Sequence, residues 1–135
     1  MRYPCVVEKD GDGFFVRFPD IPEALTQGDT REEALKMARD ALVTAFEFYF
    51  EDNRQVPAPS GEGVDFILVP ASVAAKVILL NTMLDQGVSN AELARRMGVT
   101  PPVAQRVVTL GHTTKIDTIE AALNALGKQL ELQAI

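Results

Sequence analysis

The chain has one cysteine, one histidine and no tryptophan in 135 residues. Cys5 alone excludes an intrachain disulfide and any cysteine-built metal cluster. With His112 as the sole imidazole, a zinc site lacks a ligand set, so the expectation is a protein without metal or other cofactor. Long apolar runs are missing too. Residues 71–84 are the most hydrophobic stretch, but Lys76, Asn81 and Thr82 interrupt it, and the N-terminus has no basic segment followed by an apolar core. Both features predict no membrane span, no secretion signal and a cytoplasmic location. Positive charge is scarce: 13 Lys/Arg stand against 19 Asp/Glu, a net of −6. That total speaks against nucleic-acid binding until its distribution is considered. Residues 1–75 carry seven basic and fourteen acidic side chains, whereas residues 76–135 carry six and five. The acidic half suits a basic partner such as an RNA-binding protein, or is a solvated surface that aids solubility. The second half lacks the negative field that would repel phosphate.

What is present is enough apolar material, 47% of the chain, for one sizeable core or two small ones. Residues 3–7 are β-prone, Lys9-Asp10-Gly11-Asp12-Gly13 supplies turn chemistry, and residues 14–18 return with Val16 and Phe18 on one face, the pattern of a hairpin. Pro19, Pro22 and Gly28 punctuate an irregular stretch with room for a third strand around residues 24–27. Thr30-Arg31-Glu32-Glu33 has the hydroxyl-x-x-carboxylate spacing of a capping box. Ala34, Leu35, Ala38, Ala41, Leu42, Ala45, Phe46 and Tyr49 then recur at helical spacing, giving an amphipathic helix that covers one sheet face. Residues 56–63 read as a loop and residues 64–69 as a returning strand, which closes a βββαβ unit. Pro70 opens a further helix through Val73, Val77, Leu80 and Leu84 to Gly87. Two domains are therefore expected, residues 1–69 and 70–135.

Ser89-Asn90-Ala91-Glu92 repeats the capping-box spacing before a short helix that ends at Gly98. Thr100 as N-cap and Pro101 as first helical residue open a second helix, expected to run through Val103, Ala104, Val107 and Leu110 to Gly111. Ala94, Gly98, Val99 and Val107 form a packing set that lets two short helices cross steeply, the geometry of a helix-turn-helix. Its second helix projects into a major groove about 12 Å wide. Two short helices of a plain bundle would read the same way, and the polar remainder decides between them. Thr100, Gln105, Arg106 and Thr109 are left on the second helix, and Arg and Gln suit bidentate contacts to guanine and adenine. Ser89, Asn90, Arg95 and Lys115 are the candidate phosphate contacts, while Arg96 reads as a solvated charge. With so few cations, useful operator affinity calls for at least two copies of the motif. Thr114-Lys115-Ile116-Asp117 again has cap spacing ahead of a helix through Ile119, Leu123 and Leu126. The tail, residues 130–135, alternates apolar with polar and is expected to be a short strand paired with its equivalent in a second chain.

Gly13-Phe14-Phe15-Val16-Arg17-Phe18-Pro19-Asp20-Ile21-Pro22, then Leu25-Thr26-Gln27-Gly28-Asp29-Thr30 and Glu33-Ala34-Leu35, resemble the signature of the HicB antitoxin family. Tyr3-Pro4, Ala45-Phe46-Glu47-Phe48-Tyr49-Phe50, Glu92-Leu93-Ala94-Arg95-Arg96 and Thr114-Lys115-Ile116-Asp117 resemble its subgroup with a C-terminal helix-turn-helix. Essentially the whole chain is covered. The resemblance implies a partial RNase H-like fold for the βββαβ domain, so the expectation is an α+β protein in which that domain is followed by an all-α helix-turn-helix domain with the short C-terminal strand read from its tail. It also implies an antitoxin partnered by a HicA-type toxin that cleaves mRNA using a histidine, and repression of the chain's own operon at operator DNA; the paired tail and the need for two motif copies add the expectation of a homodimer or tetramer. Many members have a glycine-cysteine pair where this chain has Glu23-Ala24, so any role of that cysteine is absent here.

An acidic domain over a toxin that grips RNA gives the charge asymmetry a mechanism. Asp10, Asp12, Asp20 and Glu23, with Phe15, are the candidate toxin contacts; for Asp10 and Asp12 ordinary turn chemistry is the competing reading. Two rivals carry other functions. A magnesium-dependent nuclease would need inward-facing strand carboxylates, which the pattern does not supply, and His112 has no evident nucleophile beside it, so a structural or phosphate-contacting histidine is expected and no enzyme. A ligand-responsive helix-turn-helix regulator without a toxin partner is the other alternative.

Overall fold

The Asp10-Gly11-Asp12 turn joins β1 (Arg2–Asp10) to β2 (Gly13–Arg17), and β3 (Leu25–Gly28) follows after the proline-bounded loop. Helix α1 (Arg31–Glu51) comes next, then β4 (Asp65–Leu68), α2 (Ala71–Gln86), α3 (Asn90–Met97), α4 (Pro101–Val107) and α5 (Ile116–Ala125). These elements belong to a computed structural model that describes residues 1–135. The expected α+β order, βββαβ and then helices, is what the chain forms. It divides into two compact units, residues 1–49 with 56–70 and residues 50–55 with 71–135.

In the first unit the strands form one antiparallel sheet in the order β3-β2-β1-β4. Tyr3 faces Ile67 and Val7 faces Val16 across the ladders, which puts their side chains on one surface. Helix α1 covers that surface with Ala34, Ala38, Leu42, Ala45, Phe46 and Tyr49. The alanines bring the helix close, and the Tyr3 and Phe46 rings meet with centroids 5.6 Å apart. Thr30 Oγ1 accepts the Glu33 N–H at 3.1 Å as the expected cap, and Arg31 ties the helix start to Asp65 of β4 at 2.6 Å. Buried Tyr3 donates its hydroxyl to the Pro57 carbonyl at 2.7 Å, and burial pushes its pKa up to about 12. Glu8, Phe15 and Gln27 are opposite one another in register and so lie on the other surface of the sheet.

The second unit is built on a core of Ala75, Leu79, Met83, Leu93, Ala104, Val107, Ile119 and Leu123 with their neighbours. Helix α3 begins at Ser89, whose Oγ accepts the Glu92 N–H at 3.1 Å, and ends at Gly98 with φ 69°. The left-handed glycine lets Val99 N–H return to the Ala94 carbonyl at 3.0 Å. No helix of the chain is long and apolar enough to cross a membrane.

Four sequence expectations are corrected. Residues 128–135 form no strand, and Leu132 and Ile135 are 65% and 78% exposed. Alternation sets which side chains share a face, but a strand also needs a neighbouring edge to pair with, and residues 128–135 pair with none. Helix α4 stops at Val107, with Val108 as its C-cap, rather than reaching Leu110. Lys115, not Thr114, is the N-cap of α5, and it makes no side-chain cap bond. The Glu92 carboxylate, expected to complete a reciprocal capping box, instead takes two arginines.

Candidate functional sites

The turn between α3 and α4 is three residues, Gly98 to Thr100, and Ala94, Ala104 and Val107 are buried where the helices meet. Thr100 occupies the N-cap of α4 by backbone geometry, but its exposed hydroxyl makes no cap bond. Pro101 and Pro102 fill the first two helical positions, and the Val103 N–H goes to the Thr100 carbonyl at 3.1 Å. The start of α4 therefore has no free N–H to offer an anion.

Three candidates come together in a hydrogen-bonded row. Asn90 Nδ2 donates to Gln105 Oε1 at 2.6 Å, Gln105 Nε2 lies 3.5 Å from Thr109 Oγ1, and Thr109 Oγ1 donates to the Gln105 carbonyl at 2.6 Å. Because α4 ends at Val107, Thr109 sits in the turn beyond it, held to the helix by its own hydroxyl. Arg106 is exposed beside this row and makes no ion pair, and Lys115 is exposed at the start of α5. Ser89 is committed as the cap of α3. Arg95 is held away from the row: Nε and Nη2 contact Glu92 at 2.8 and 2.5 Å, and Arg96 Nε shares the same carboxylate at 2.9 Å. Hydrogen bonds from Arg95, then Arg96, lower the Glu92 pKa to about 2.

The acidic candidates of the first unit separate into two groups. Asp10 and Asp12 are exposed at the hairpin tip without an ion pair, and Phe15 is half-buried on the sheet surface opposite α1. Asp20 and Glu23 are engaged within the chain. Asp20 Oδ2 accepts the Ser60 N–H at 2.9 Å and so anchors the loop before β4. Glu23 Oε2 accepts the Tyr49 hydroxyl at 2.6 Å and joins the loop after β2 to α1. No three His, Cys, Asp or Glu side chains gather in a way that could hold a metal ion.

Residues 2–78 match a family described as the HicB-like antitoxin of bacterial toxin-antitoxin systems. A protein named Antitoxin HicB 2 from Photorhabdus laumondii is 67% identical over 135 residues, all of this chain and 97% of that one. The chain belongs to the HicB antitoxin family. Antitoxin HicB of Escherichia coli K12 is 50% identical over 98% of each chain, and its Pseudomonas fluorescens Pf0-1 namesake is 42% identical over 97% of this chain and 92% of its own. A HicB antitoxin is not an enzyme.

Within this HicB chain, the Glu23-Ala24 pair has a clear place: Ala24 is fully buried and Glu23 is bonded to Tyr49. Sequence reasoning missed one residue, Lys76. It registers in the sequence only as an interruption of an apolar helix, yet it is 3% exposed and bonded to backbone carbonyls in the last turn of α4 and beyond it. A charged residue at a core position of an amphipathic pattern is the signal that was available.

Proposed function

We propose that this chain blocks a HicA-type, mRNA-cleaving toxin with its first unit and represses its own operon by binding operator DNA with α3 and α4. The observation that carries the DNA reading is the row on α4 and the turn after it. Gln105, Arg106 and Thr109 are exposed together, and Asn90 fixes which end of the Gln105 amide faces inward. A fixed amide beside a free guanidinium is the donor and acceptor set that reads adenine and guanine edges. Phosphate contacts fall to the start of α3 at Ser89 and Asn90, to Lys115, and to Arg95 once phosphate displaces Glu92. Thr100 contributes its uncommitted hydroxyl. Two copies on a two-fold operator supply the affinity that one weakly basic unit lacks, which makes the working species a homodimer or tetramer.

For the toxin, Asp10 and Asp12 at the hairpin tip supply negative charge toward a basic RNA-gripping surface, with Phe15 on the open sheet face beside them. Asp20 and Glu23 act behind them by holding the loops in place. The test is co-expression with the neighbouring gene's short basic product, followed by growth, co-purification and promoter gel-shift assays. Wild type is expected to restore growth, co-purify and shift the promoter, and Asp10→Lys with Asp12→Lys to weaken toxin affinity about tenfold or more without changing the shift. Unchanged toxin affinity in that double variant would remove the hairpin tip from the interface.

A second reading has one observation in its favour. A groove of about 490 Å³ in the second unit is lined by Leu80, Met83 and Val88 together with the polar Asn53, Ser89, Asn90 and Gln105, a size that would admit a small molecule. A neighbouring product that is harmless and does not co-purify, with promoter binding intact, would favour that ligand-responsive regulator.

A further inference from the structure

The only charged side chain buried in the molecule is Lys76, in the middle of α2. Its Nζ donates to the carbonyls of His112 at 2.5 Å, Thr109 at 2.7 Å and Arg106 at 3.4 Å. An ammonium has three hydrogens, and each has an acceptor here. None of those acceptors is a carboxylate. The charge is balanced by peptide dipoles, at the end of α4 where the helix dipole is negative. Burial lowers the lysine pKa, so a methionine of similar shape would occupy this place without the desolvation cost. What an apolar residue could not do is hold three carbonyls at fixed positions.

The Arg106 carbonyl lies in the last turn of α4, and those of Thr109 and His112 lie in the irregular stretch that follows it. The last helical bond of α4 runs from the Val108 N–H to the Ala104 carbonyl at 3.2 Å, and residues 108–115 belong to no helix or strand. Local turn bonds exist there, Thr109 N–H to the Arg106 carbonyl at 3.3 Å and His112 N–H to the Thr109 carbonyl at 3.2 Å. Lys76 is 30 to 36 residues distant in sequence and ties the same carbonyls to the core helix.

We propose that Lys76 is a positioning residue for DNA recognition, its ammonium fixing the end of α4 and the following turn so that Gln105, Arg106, Thr109 and Lys115 are presented in register to one groove. The inference rests on the DNA-binding reading above. Lys76 touches no DNA. It acts on specific binding, which needs several side chains in register, and leaves non-specific binding alone, which needs only nearby cations.

The experiment compares promoter DNA with a scrambled duplex of equal length, across a salt series, for wild type and Lys76→Met in the full chain. The promoter-to-scrambled ratio is expected to fall about 100-fold, the weight of two lost base contacts. Affinity for scrambled DNA, its salt slope and toxin binding stay at wild-type values. A role confined to stability would lower the folded fraction and weaken both duplexes equally, so an unchanged ratio overturns the proposal. Should Lys76→Met not fold, Lys76→Arg keeps the charge but moves the donors. A wild-type ratio in the folded Arg variant overturns the proposal, and a reduced ratio at unchanged scrambled affinity supports it. Wild type that fails to discriminate the two duplexes would defeat the DNA reading itself.

Discussion

Glu92 occupies the third position of α3 and receives hydrogen bonds from both Arg95 and Arg96. Its depressed pKa sets the sign of any pH effect: the pairing is present throughout the range above the ordinary carboxylate value and is lost only as pH falls through about 2. Mild acid therefore does not release the arginines. Substitution does. Glu92→Gln removes one negative charge from α3 and frees two cations, so under the proposed DNA-binding role the salt slope of promoter binding should steepen by about one to two further phosphate contacts, measured by fluorescence anisotropy from low to physiological salt. An unchanged slope would place both arginines outside the interface. The serine half of this cap was legible as Ser89-x-x-Glu92, since local spacing dictates local bonds. The fate of the glutamate was not, because arginines three and four residues on compete for the same carboxylate. Lys76 was less legible still, since backbone carbonyls 30 to 36 residues away leave no trace in the pattern of side chains.

Where an element's ends are marked by residues with one dominant use, its bounds were readable. Gly87, Gly98 and Gly127 each follow a helix, and the expected ends of α2, α3 and α5 fall within two residues of those observed. Helix α4 has no such marker until Gly111, and its end carries bonds from Lys76 to the Arg106 and Thr109 carbonyls. The third strand was expected around residues 24–27 and forms at Leu25–Gly28. Its last residue meets the start of α1 so closely that a Cβ on Gly28 would lie 2.6 Å from Ala34 N and 2.9 Å from Ala34 Cα. Both obstacles are backbone, and neither can rotate away. Gly28→Ala should then force β3 from the helix at a cost of about 1–3 kcal/mol, seen as a lower melting temperature in calorimetry. Gly111→Ala, with nothing within 4 Å of the added carbon, is the control and should leave the transition close to wild type.

Across the molecule, acidic excess is confined to the first 75 residues and near-neutral charge to the rest, a division legible from sequence and matched to two proposed partners of opposite charge. The tail was legible in pattern but not in state. Leu130 packs on the core of the second unit, whereas Leu132 and Ile135 are exposed. Deleting residues 131–135 should leave the melting transition of the isolated chain within about 0.5 kcal/mol, yet lower the mass seen by light scattering if the tail joins copies. A mass unchanged by the deletion would assign assembly to another surface. Lys76 adds something that belongs to lineages rather than to single molecules. It grips peptide groups, and every amino acid brings a carbonyl, so residues 106, 109 and 112 can each be exchanged without withdrawing a ligand. Under the proposed DNA-binding role, change in what those side chains read is thereby uncoupled from the anchor that presents them.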